Sequence, residues 1–152
     1  MKKKLLFILV LILLIFIGFS AIFLSSISGH SFILKANWGI SLPLKADLTL
    51  LISIQPEPSF HGDGVRYHMF SYEYEDEIEN IFPWSSVEQK TRSYPNCREA
   101  AIVWLEEINV PENIWPNFSE CLTWYHTNEY HNEVIFFWDR NEKYFYILEF
   151  LL

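Results

Sequence analysis

Leu5 to Leu24 is a run of twenty residues without one charged side chain, LLFILVLILLIFIGFSAIFL. As a helix rising about 1.5 Å per residue it reaches about 30 Å, the thickness of a bilayer's hydrocarbon core. Seventeen of the twenty are Leu, Ile, Phe or Val. Each such residue contributes about −0.3 to −0.6 kcal/mol at mid-membrane, so insertion is strongly favoured. The run predicts a transmembrane helix over 5–24, and whatever follows folds while tethered to lipid.

Lys2, Lys3 and Lys4 precede the run, whereas Lys35 and Lys45 stand singly beyond it. That asymmetry predicts a cytoplasmic basic N-terminus over 1–4 and a C-terminal region outside the cell membrane, a single-pass arrangement. A cleaved secretory signal, releasing a secreted protein, is the competing reading. The apolar core of a signal peptide usually spans about 7–15 residues, shorter than this one. Ser26 and Ser28 make an imperfect cleavage pair, and the uncleaved anchor is preferred. No cysteine lies near the end of the run, which excludes a lipid-modified N-terminus.

Beyond the anchor, 25–44 reads as a tether and 45–152 as one extracytoplasmic domain, enough chain for a single core. Without the three N-terminal lysines the chain holds 8 basic against 19 acidic residues, or −11. Such a surface repels phosphate backbones, so no nucleic acid partner is expected; solubility or a cationic partner fits better. The 13 Phe, 8 Tyr and 6 Trp read as filling for a small sheet rather than as a sugar-stacking surface. Cys97 and Cys121 could form one disulfide or remain two buried thiols; the thiols are preferred, since a domain this size does not need a staple.

The patterning predicts an α+β fold, a small antiparallel sheet with one main packed helix. Within the tether, Asn37-Trp38-Gly39-Ile40 before Leu42-Pro43 reads as extended chain with a turn. Asp47 to Gln55 alternates, with Leu51 the exception, and predicts a strand paired with a second over Val65 to Glu75. Asp76 is placed to cap a short helix that Pro83 stops. From Pro95 to Asn109, Cys97, Ala101, Trp104, Leu105 and Ile108 form one stripe of a 3.6-residue repeat, with Pro95 in the first turn and Pro111 blocking continuation. Strands are predicted at Leu122–Thr127, Glu133–Asp139 and Lys143–Leu151. The last two form a hairpin whose turn uses Asn141 at positive φ. Ile135-Phe136-Phe137-Trp138 is apolar on both faces and predicts a central, doubly covered strand.

No nucleophile elbow, zinc-protease helix, phosphate loop or Cys-x-x-Cys occurs, and no cofactor is expected. The most site-like stretch is His61-Gly62-Asp63-Gly64, in a long loop between two predicted strands. A tight turn in which Asp63 binds its own backbone and His61 merely packs is preferred to a metal or acid/base pair of His61 and Asp63. His126 and His131 could join His61 and Asp63 on a metal only if a loop brought them together. The acidic run Glu73, Glu75, Asp76, Glu77 and Glu79 lacks a calcium loop and reads as a solvated helix start. Asn117-Phe118-Ser119 fits a glycosylation sequon on an exposed loop.

The basic start, single span, Leu42-Pro43, His61-Gly62-Asp63-Gly64 and Tyr67-His68-Met69-Phe70 together resemble small uncharacterised membrane-anchored proteins of Gram-positive bacteria, over about Leu42 to Tyr74. The resemblance implies a location and no catalytic activity. The residues themselves support a non-enzymatic binding module for a protein partner at the cell envelope, with an exposed patch of His61, Asp63, Tyr67 and Tyr72. The alternative is a metal-assisted hydrolase using His61, Asp63 and a later histidine. Association through the anchor helix has little support, since the run lacks closely spaced small-residue pairs.

Overall fold

The computed structural model describes residues 30–42, 48–56, 62–85 and 89–152. The predicted membrane helix over 5–24 lies outside them, as do His61 and Asp47, where the first strand was expected to begin. Among the described residues no helix is long and apolar enough to cross a membrane. The chain divides into two compact units, 1–42 and 43–152.

In the first unit, His30–Trp38 is a helix, α1. This corrects the expectation of extended chain at Asn37-Trp38. No proline interrupts the stretch, and Gly39 ends it at φ 69°, donating its N–H to the Lys35 carbonyl at 3.0 Å. Glycine takes that left-handed conformation without the Cβ clash other residues meet.

The second unit is α+β, a five-stranded antiparallel sheet with few helices. Its elements run β1 (Thr49–Ile54), β2 (Gly64–Ser71), α2 (Glu75–Ile81), α3 (Cys97–Glu107), a 3-10 turn (Glu112–Ile114), β3 (Leu122–Thr127), β4 (Glu133–Asp139) and β5 (Tyr144–Leu151). The strand order is β1-β2-β5-β4-β3. β5 is therefore the middle strand, and β4 lies one place in from the β3 edge. β4 is nonetheless buried along its whole length, as an apolar run on both faces requires.

One face of the sheet packs on α3. Cys97, Ala100, Ala101, Trp104 and Leu105 meet Val65, Tyr67, Met69, Ile135, Phe137, Tyr146 and Leu148 in a single core. Small residues at 100 and 101 let the helix backbone approach the aromatic strand side chains. α3 starts later than the sequence suggested. Asn96 is the cap, its Oδ1 accepting the Glu99 N–H at 2.9 Å, and Pro95 precedes it instead of entering the first turn. The helix ends in a Schellman motif. Asn109 sits at φ 56° and donates to Glu106, and Val110 donates back to Leu105 before Pro111 stops the chain.

On the opposite face Phe82, just after α2, stacks with Phe136 and Phe145 at 5.1 and 5.7 Å and tilts against Trp124 at 4.8 Å. Ile78 of α2 is fully buried. Asp76 does not cap this helix. The Tyr74 carbonyl receives the Glu77 and Ile78 amides, so α2 begins one residue before Asp76, and Asp76 lies in the first turn. The β4–β5 turn also differs in detail. Asp139 Oδ1 accepts the amides of Asn141 and Glu142, and the left-handed residue is Lys143 at φ 55°, not Asn141.

Candidate functional site

The pairings Gly64↔Leu151, Glu133↔Phe150 and Thr127↔Glu133 bring the β1–β2 loop, the β3–β4 turn and the C-terminus to one end of the sheet. There the backbone N–H of Leu152 donates to Asn132 Oδ1 at 2.9 Å. In the loop His61-Gly62-Asp63-Gly64, Asp63 is exposed. Gly62 holds φ 74° while its carbonyl accepts from Arg66 Nη2 at 2.7 Å, and a Cβ on Gly62 would lie 3.2 Å from that nitrogen. The positive φ favours glycine here, and a side chain would also press on the guanidinium.

Arg66 leads to Glu149, which the sequence did not single out, and to His68, which it offered as a helper of His61 and Asp63. Register places Arg66 opposite Glu149, and Glu149 opposite Val134, which faces His126. Glu149 is only 2 % exposed, and its Oε2 lies 3.9 Å from His68 Nε2. The signals were present in the sequence. Glu149 is the lone charge in Tyr144–Leu152, and Arg66 and His68 are polar at i, i+2 in a strand whose other side is apolar.

Other candidates fall elsewhere. Tyr67 and Tyr72 do not form an exposed patch, because both rings are buried. Tyr67 lies in the α3-facing core and donates its hydroxyl to the Ile114 carbonyl, while Tyr72 donates to Glu77 Oε2 at 2.7 Å. Burial raises both phenols far above their ordinary range, with Tyr146 and Cys121 adding to Tyr67 and Glu77 to Tyr72. Alternation in a half-buried strand drives Tyr67 inward, as it does Val65 and Met69. His126 belongs to β3, its ring 5.5 Å from Trp124, whereas His131 is exposed in the following turn at φ 66°. Among the described residues no three of His, Cys, Asp and Glu are placed to hold a metal ion.

Cys97 and Cys121 are buried free thiols. Burial, with Glu133 near one and Asp139 near the other, pushes both up to about 12, so neither is a thiolate nucleophile near neutral pH. Buried Glu133 accepts from Tyr125 Oη at 2.9 Å and from the Arg92 amide at 3.4 Å. Around α2 part of the acidic run has partners, while Glu75 and Asp76 are exposed. Lys143 Nζ reaches Glu73 at 3.1 Å, and Arg140 pairs with Glu79. At the sequon, Asn117 is exposed and its Oδ1 accepts the Ser119 hydroxyl at 2.7 Å.

The sheet's edges offer a different kind of site. On β3, Ser85 forms an antiparallel bridge to Thr123, exchanging N–H···O bonds of 2.7 and 3.2 Å. β1 is the other edge, with no described strand on its outer side. Its sequence, TLLISI, has no charge and no proline, and Leu50 and Leu51 are 42 % and 46 % exposed. Leu51 is the extra residue of a bulge, because Leu50 pairs with Phe70 and Ile52 already with Met69. That bulge explains the break in alternation at Leu51. Compared with protein-family profiles, with curated proteins and with solved structures, the chain matches none of them.

Proposed function

We propose that the chain is a membrane-tethered interaction module at the cell envelope, anchored through 5–24, which takes an extended segment of a protein partner onto the outer edge of β1. The single observation behind this reading is β1 itself, an uncharged edge strand with two half-exposed leucines. Unpaired backbone donors and acceptors on such an edge are a template for strand addition, and proteins usually blunt it with charge, proline or a cover. Among the described residues only a bulge blunts this one. The acidic remainder of the surface steers toward neutral or cationic segments and away from anionic ones.

Leu51→Lys on the full chain tests the reading. A charge at the strand's midpoint should abolish partner recovery from membranes while the domain stays folded, and undiminished recovery would reject the edge. The hydrolase alternative has a separate assay. Zinc bound stoichiometrically by the wild type and lost in His61→Ala would favour it, and a metal-free, well-folded domain would remove it.

A further inference from the structure

We draw no further inference here: the strongest candidate, the exposed basic patch of Lys90, Arg92 and Arg98 on the loop into α3 and its first turn, is a set of surface cations with no second feature beside them to show which partner would cover it.

Discussion

β1 and β4 are alike on paper and opposite in the folded domain. TLLISI and EVIFFWD are both short apolar strands, yet every residue of β4 is buried while four of the six in β1 are exposed and the other two, Ile52 and Ile54, only half-buried. The cause is position. β4 has a hydrogen-bonded neighbour on each side, α3 against one face and the Phe82 ring cluster against the other, whereas β1 has a described neighbour only in β2. Hydrophobicity alone does not tell core from docking edge. What separates them is whether a described strand pairs with the second row of backbone groups.

Four measurements break or sharpen that contrast. The largest effect belongs to β4: Phe136→Ala should cost about 3–5 kcal/mol in denaturant unfolding, whereas Leu51→Ala in β1 should stay within about 0.5 kcal/mol. Comparable losses at both positions would mean that β1 is as deeply integrated as β4. Next, Tyr125→Phe removes the hydroxyl donor to buried Glu133 and should cost about 1–3 kcal/mol, read in the same titration. Asn96→Ala deletes the α3 cap and should cost about 1 kcal/mol.

The smallest effect is a pH dependence. Cys97, Cys121 and Tyr125 are each pushed up to about 12, chiefly by burial, so their folded forms hold protons that the unfolded chain gives up. Stability from these groups is complete below the unfolded thiol value near 9 and falls as pH rises toward 12. Thermal midpoints measured from pH 8 to 11 should therefore decline. In Cys97→Ala the decline should be shallower, and an identical slope would show that the thiol is not buried as described.

Much of the fold was legible because the elements carry strong local signals. β3 and β4 have the predicted bounds, and the α3 stripe faces the core as its 3.6-residue spacing requires. The misses share a cause: local preference yielded to a competing contact. Asn96 outcompeted Pro95 for the start of α3, and Asp139 tied the amides of Asn141 and Glu142, moving the left-handed residue to Lys143. α1 was missed because nothing periodic announces nine residues that end at a glycine.

The candidate site was less legible than the fold. Aromatic residues near the His61 loop suggested an exposed patch, but period-two alternation sends Tyr67 into the core. Glu149 lies three residues from the chain's end and becomes notable only when β2 and β5 pair, bringing Arg66 opposite it and His68 to 3.9 Å. The open edge of β1 is likewise a property of strand order, which no local pattern encodes.

Amide hydrogen exchange on the full chain, purified alone and held with its membrane partners, tests the docking edge most directly. If β1 receives an extended partner segment, amides within Thr49–Ile54 slow when partners are present, while those of Leu122–Thr127 keep one rate in both samples. Exchange in β1 that is the same in both samples, or slowing that appears at β3 instead, contradicts the assignment of β1 as the interaction edge.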